Sequence, residues 1–251
     1  MTDRNLADRY FDAAIALLEQ VRDGEAETIR QAGTLLADTV AGGGRLFAFG
    51  AGHSSLAAQD VVYRAGGLAV MNLLVVPGVV GVDVRPATLG SALEHVEGLA
   101  DAVLGTSPVR AGDALVVISL SGRNALPVEM ALRARGRGLA VVGVTSVAYA
   151  SATTSRHPSG TFLKDHCDVV LDNRIPVGDA ELTVEGIAAP FAPASTVVTS
   201  ALLQSVVATA AGVLSERGIE PPLLPSANVD GGRAWNDRIL AEYRDRIFHQ
   251  H

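Results

Sequence analysis

Five short apolar runs constrain what this chain can fold into: "RLFAF" at 45–49, the segment 68–75, "ALVVI" at 114–118, "LAVVGV" at 139–144 and "DVVL" at 168–171. They are nearly continuous rather than alternating, so both faces of each strand must be covered by other elements. Helical stretches stand near 54–65, 87–104 and 124–136. Strands alternating with helices in this way predict an α/β fold, a doubly wound five-stranded parallel sheet flanked by helices. In such a sheet ligands meet the carboxyl ends of the strands.

Two further helices are expected ahead of the first strand. Leu6, Tyr10, Phe11, Ile15, Leu18 and Val21 recur at helical spacing over 5–22, and Ile29, Leu35, Leu36 and Val40 repeat the pattern over 25–41 before a Gly-Gly-Gly stop. An apolar helix is expected at about 195–216, then an extended arm ending in a helix. The expected organisation is therefore N-terminal helices at 1–44 packing on the core or a partner, a ligand-binding domain at 45–216, and a C-terminal arm at 217–251.

Composition removes several function classes. The net charge is −7, Lys164 is the lone lysine and no basic run occurs, which argues against nucleic acid as a partner. The long apolar stretches are too short, or are broken by Pro77 and Gly81, so no membrane role is expected. Cys167 is a single cysteine without ligand spacing, no histidine pair stands at i, i+4, and the N-terminus is charged and amphipathic. We expect a cytoplasmic protein with no metal and no cofactor.

Three strand ends carry the chemistry. After the first, Gly50 and Gly52 lead to a helix beginning near Ser54, a place where free backbone N–H groups and a helix dipole can face an anion. A dinucleotide fingerprint needs a third glycine where Ser55 stands, and no acidic residue ends the second strand to hold a ribose. The third strand runs into Ser119, Ser121, Gly122, Arg123 and Asn124 and then a helix, a set suited to a phosphate monoester: spaced hydroxyls, a glycine that admits the backbone, a guanidinium and a helix N-terminus. Thr145 and Ser146 occupy the equivalent place after the fourth strand.

"FGAGHSS", "ISLSGRN" and "GVTS", in this order on a parallel-sheet pattern, resemble the sugar isomerase (SIS) domain family over roughly residues 40–215. The resemblance implies a phosphosugar ligand. It makes Gly50, Gly52 and Ser54 the first ligand loop, Ser119 and Ser121 the phosphate-binding hydroxyls, and Thr145 and Ser146 a third wall. Arg123 and Asn124 stand where many SIS isomerases and amidotransferases carry threonine or glutamate. Among its relatives, the acetylmuramic acid 6-phosphate etherases show that this scaffold also eliminates.

A sugar phosphate opened to its aldehyde has an acidic C2 proton, and its removal needs a positioned base, usually His or a Glu of raised pKa. Glu94 is the first candidate, because SIS enzymes place an essential glutamate on the element after the second strand; Glu97 lies one turn on. His53, inside the glycine turn, is expected to touch the ligand. His157 is a second proton-transfer candidate, from its own or a neighbouring subunit, and Asp179 and Glu181 can present a carboxylate. His95, His166, His249 and His251 are assigned no role, and Lys164 precedes a strand, which argues against a Schiff base.

Three functions fit. The first is a lyase that abstracts the C2 proton of an N-acetylhexosamine 6-phosphate and eliminates the C3 oxygen; the second is an aldose–ketose isomerase; the third is a phosphosugar-sensing module without turnover. The apolar residues of the leading helices and the arm (Leu6, Phe11, Leu18, Leu223, Leu224, Trp235) exceed what one α/β layer sandwich needs to cover, which points to a homodimer or a dimer of dimers.

Overall fold

The computed structural model describes residues 5–249. Helices α1 (Leu6–Gly24) and α2 (Ala26–Ala41) precede β1 (Leu46–Gly50) and α3 (Ser54–Asp60). Then follow β2 (Met71–Leu73), α4 (Ala87–Leu93), α5 (Leu99–Thr106), β3 (Ala114–Ile118), α6 (Ala125–Gly136), β4 (Ala140–Thr145), α7 (Val147–Ala152), β5 (Val169–Asp172), α8 (Ser195–Glu216) and α9 (Gly232–Glu242). The strands form one parallel sheet in the order β2-β1-β3-β4-β5. Chain connections diverge between β1 and β3, and the crevice beyond their carboxyl ends is where this topology leaves room for a ligand.

Continuous apolar strands supply two cores at once. Leu46, Ala48, Val116, Ile118, Val142 and Val144 point to the side carrying α2, α3 and α8, while Phe47, Phe49, Leu115, Val117 and Val141 point to the side carrying α5 and α6. Burying an aliphatic or aromatic side chain stabilises the fold by about 1.5–3 kcal/mol, so both layers are needed to hold this sheet. At the sheet's other end, buried Arg45 and Asp113 form a bidentate pair that ties the start of β1 to the start of β3.

Helix α8 is long and apolar enough to cross a bilayer by length and composition, yet Leu202, Leu203, Val206, Val207, Ala210 and Leu214 are buried against the sheet and α2. Gly33 of α2 allows the close approach, since a Cβ there would lie 2.6 Å from the Thr209 side chain. The C-terminal arm folds back on its own chain. Leu224 exchanges backbone hydrogen bonds with Gly66 and Gly67, and the Phe248 ring stacks on Phe47 with centroids 6.0 Å apart.

One expected element is divided. The single helix expected over 87–104 is two, α4 and α5, because Gly98 adopts a left-handed conformation (φ 79°) and its N–H donates to the Glu129 carboxylate at 2.8 Å. Glu94 therefore sits at the C-cap of α4 rather than on a mid-helix face.

Candidate functional site

A cavity of about 340 Å³ opens beyond the carboxyl ends of β1 and β3. The turn after β1 contributes Gly52, His53 and Ser54, and the turn after β3 contributes Ser119 and Ser121. Ser91 and Glu94 come from α4 and its cap, and the far wall is made by Tyr149, Asn173, Asp179, Ser195, Thr196 and Thr199.

The glycine turn is held shut by Ser55, the residue that stands where a dinucleotide fold has its third glycine. Its buried hydroxyl donates to the Gly52 carbonyl (2.6 Å) and accepts from the Gly81 N–H (3.0 Å). Gly52 itself adopts φ +53° and donates to the Val79 carbonyl. The N–H groups of Ser54, Ser55 and Leu56 close bonds to carbonyls three residues back, so these three N–H groups, expected from sequence to face an anion, are spent within the turn.

Hydrogen bonding separates the lining into two sets. Tyr149 accepts from the Gly178 N–H, Asn173 donates to Thr199, and Asp179 accepts from the N–H groups of Ala194 and Ser195 and from the Ser195 hydroxyl, capping α8. The hydroxyls of Ser54, Ser91, Ser121 and Thr196 have no partner among the described residues, and they share the cavity lining with Glu94. Ser119 is buried, and its hydroxyl oxygen accepts the Gly122 N–H at 3.3 Å.

Glu94 is the group in this lining whose titration burial most clearly alters. Desolvation pushes its carboxyl above the ordinary glutamate range, opposed by the Asn124 hydrogen bond and by the charges of His95 and Arg156. Asn124 Nδ2 donates to Glu94 Oε2 at 2.7 Å, and the Glu94 carbonyl accepts the Leu126 N–H at 3.0 Å. The first residues of α6 thus fix both backbone and side chain of the candidate base.

Residues 9–146, over half of the chain, match the model of the SIS domain. The chain belongs to the SIS domain family. It is 74% identical to the UPF0309 protein of Streptomyces avermitilis, with the whole of both chains covered. The SIS fold is shared with the structure of phosphoheptose isomerase GmhA from Neisseria gonorrhoeae (TM-score 0.55, 20% identity, covering 84% of this chain and 100% of that one). It is shared too with the Vibrio vulnificus NanR protein complexed with ManNAc-6P (TM-score 0.54, 15% identity, covering 96% of this chain and 70% of that one).

Within this SIS domain several residues expected at the ligand take other positions. Thr145 donates to the Leu120 carbonyl, and Ser146 caps α7 at Tyr149 while donating to the Ile175 carbonyl at 2.6 Å, so both hydroxyls are consumed inside the fold. Arg123 turns away from the cavity, with Nη2 3.5 Å from the Thr154 hydroxyl, and no lysine or arginine is among the described lining residues. Asn124 spends its amide on Glu94. Gly50 and Gly122 shape their turns from outside the lining: a Cβ on Gly122 (φ +58°) would lie 2.7 Å from Thr145 Oγ1.

The His157 ring also lies outside the cavity of its own chain. Its side chain is 10% exposed and faces Glu129 of α6 at 3.8 Å, while Nδ1 is 2.7 Å from the Ser159 hydroxyl. Glu97 is exposed in the α4–α5 junction, Glu181 is outside the lining, and His251 falls outside the described residues. Ser91, Tyr149, Asn173, Ser195, Thr196 and Thr199 were not legible as site residues. A signal existed for the last three: Ser195, Thr196 and Thr199 crowd hydroxyls onto the first turns of a predominantly apolar helix, with Ser195 and Thr199 at i, i+4.

Proposed function

We propose that this protein binds a hexosamine 6-phosphate in the cavity beyond β1 and β3 and removes its C2 proton with Glu94. The observation that carries the reading is that a half-buried carboxylate of raised pKa lines the same cavity as the unpartnered hydroxyls of Ser54, Ser91 and Ser121. The neutral hydroxyls of Ser54, Ser91 and Ser121 would hold the phosphate dianion by hydrogen bonds to its oxygens. Glu94 takes the C2 proton, the C–H electron pair becomes the C1 enolate, and collapse of the enolate expels the C3 oxygen as His53 protonates it. Water leaves, and a conjugated C2=C3 enal remains. His53 is suited to the acid role because it lines the same cavity from the facing turn.

The isomerase reading keeps the first step and returns the proton to C1; the fold shared with phosphoheptose isomerase GmhA favours it as the second reading. Binding without turnover is the third, supported by the likeness to NanR complexed with ManNAc-6P. Incubation with hexose and hexosamine 6-phosphates in deuterated water separates them. Elimination gives loss of water and new ultraviolet absorbance, isomerisation gives unchanged skeletal composition with deuterium incorporated, and tight binding with neither sinks both enzyme readings. The cytosol is where such a substrate is met.

Ser119→Ala and Ser121→Ala should each weaken sugar phosphate binding by about 1–3 kcal/mol, the cost of leaving a charged oxygen unpartnered. Calorimetric titration with N-acetylmannosamine 6-phosphate and with N-acetylmannosamine checks this. Equal affinity for the two ligands would remove the phosphate site. Ser119→Ala should also lose some stability, since it strands the Gly122 N–H, whereas Ser121→Ala should not.

Self-association is part of the same proposal. Leu18, Leu223 and Leu224 pack on this chain's own core, but Leu6, Phe11 (63% exposed) and Ile15 leave an apolar stripe on α1 in solvent. Light scattering at micromolar concentration should give at least a dimer, and Phe11→Glu should shift it toward monomer; a wild-type monomer would refute the assignment.

A further inference from the structure

We propose that Arg156 is a positioning residue that, acting through Asn124, holds the Glu94 carboxylate in the orientation a proton abstraction from the cavity requires. Asn124 is the N-cap of α6, where an asparagine side chain ordinarily accepts an N–H of the first helical turn. Here it makes no cap bond. Its amide is spent instead between two charged groups: Nδ2 donates to Glu94 Oε2 (2.7 Å), and Oδ1 accepts from Arg156 Nη1 (3.3 Å).

An asparagine amide has a donor end and an acceptor end, and a half-turn exchanges them. With the donor end toward Glu94 it stabilises the ionised carboxylate. With the acceptor end there it would repel that carboxylate and tolerate only the protonated acid. Arg156 decides between the two, because a guanidinium has donors only and so must meet Oδ1. One Glu94 oxygen is then occupied, and Oε1 lies on the side of Gly52, 4.0 Å from where a Cβ on that glycine would stand, directed to the turn that lines the cavity.

Arg156 is exposed, yet its placement is fixed. Its backbone N–H donates to the Arg123 carbonyl at 2.8 Å, so it travels with the turn that ends in Asn124. Its Nη1 also lies 3.1 Å from His95 Nε2, the residue following Glu94. The guanidinium therefore bridges the α4 cap and the α6 cap. Its neighbours in sequence are anchored as well, Ser155 to the Thr161 carbonyl and His157 against Glu129. The ionisable groups around Glu94 are His95 in the junction, Arg156 from the loop before β5, His53 from the β1–α3 turn, and Asp179 and Tyr149 across the cavity.

The experiment follows the Glu94 carboxyl carbon by NMR in protein labelled with ¹³Cδ-glutamate, the resonance being assigned by its absence in Glu94→Gln. Arg156→Gln should raise the Glu94 titration midpoint by about half a unit to one unit, from loss of a nearby positive charge and of the fixed amide. Asn124→Ala should raise it too, and the double variant should shift clearly less than the sum of the two single shifts, because the positioning part of the Arg156 effect passes through that amide and only its direct charge remains once the amide is gone. An unchanged midpoint in Arg156→Gln overturns the proposal, and so do two shifts that add in full, which would make Arg156 a distant charge only. Should Arg156→Gln fail to fold, Arg156→Lys, which keeps the charge without the planar fork, gives the same comparison with a smaller shift.

The proposal rests on Glu94 being the base, and the two fail separately. If the midpoint moves as expected but wild type exchanges no C2 deuteron with any hexosamine phosphate, the functional reading falls while the clamp stands. If wild type exchanges the deuteron and Arg156→Gln leaves the midpoint in place, the clamp falls alone.

Discussion

Glu94→Gln is expected to lower the rate of C2 proton exchange by a factor of about 10² to 10⁴ while leaving sugar phosphate affinity within a few-fold of wild type. Glutamine keeps the volume and can still meet Asn124, but it has no basic oxygen. The hydroxyls of Ser54, Ser91 and Ser121 are untouched by the change, so binding and turnover should separate cleanly. Deuterium loss from C2-labelled substrate is the readout because it precedes the branch between elimination and isomerisation. Exchange at the wild-type rate in Glu94→Gln would place the base elsewhere.

The same substitution has a consequence for stability, with a definite sign. Burial raises the Glu94 pKa in the folded state, so the folded protein binds this proton more tightly than the unfolded chain does. Any stability the group contributes is present below its unfolded pKa and is lost as pH rises through the folded value. At neutral pH, above the unfolded glutamate pKa, the raised folded value therefore costs the native state stability, and Glu94→Gln should melt higher than wild type. The advantage should shrink on acidification and be gone below the unfolded glutamate pKa. Equal melting curves at pH 7 and pH 4 would mean that the carboxylate is better solvated than its burial implies. A stabilising loss of activity is what a destabilised functional group leaves behind.

The sheet was legible because its determinant is local. "ALVVI" has no polar residue within it, and the strand forms over the expected 114–118; the residues pointing to each side then fell into the two cores. Ser119 and Ser121 were legible for a related reason, since any residue immediately past the carboxyl end of a central strand in this topology faces the crevice. What escaped was set by contacts distant in sequence. Thr145 and Ser146 hold the same strand-end position as Ser119, but a carbonyl from Leu120 and another from Ile175 reach them first. Tyr149, Asn173 and Thr199 enter the cavity only because α7, β5 and α8 converge there. Glu94 was singled out on a resemblance, and its fixed orientation depends on Asn124 and Leu126, some thirty residues away.

Gly50→Ala should cost about 1–3 kcal/mol of stability by overpacking and weaken sugar phosphate binding at least tenfold. The glycine is not there for a left-handed conformation. A Cβ at residue 50 would stand 2.4 Å from the Ser54 carbonyl oxygen, 2.5 Å from its carbon and 2.8 Å from the Ser55 nitrogen. These are backbone atoms and cannot rotate aside, so relief must come from moving the start of α3 away from β1. That motion carries His53 and Ser54 out of the cavity and breaks the Ser55 bonds to Gly52 and Gly81 that keep the turn closed. Gly105→Ala in α5 is the matched control: it sits exposed in a helix with nothing within 4 Å of its added Cβ, and should gain about 0.5–1 kcal/mol. Urea denaturation measures the first effect and calorimetric titration the second. If Gly50→Ala lost stability yet bound sugar phosphate like wild type, the β1–α3 turn would be packing only, and the phosphate would have to be held by the turn after β3 without it.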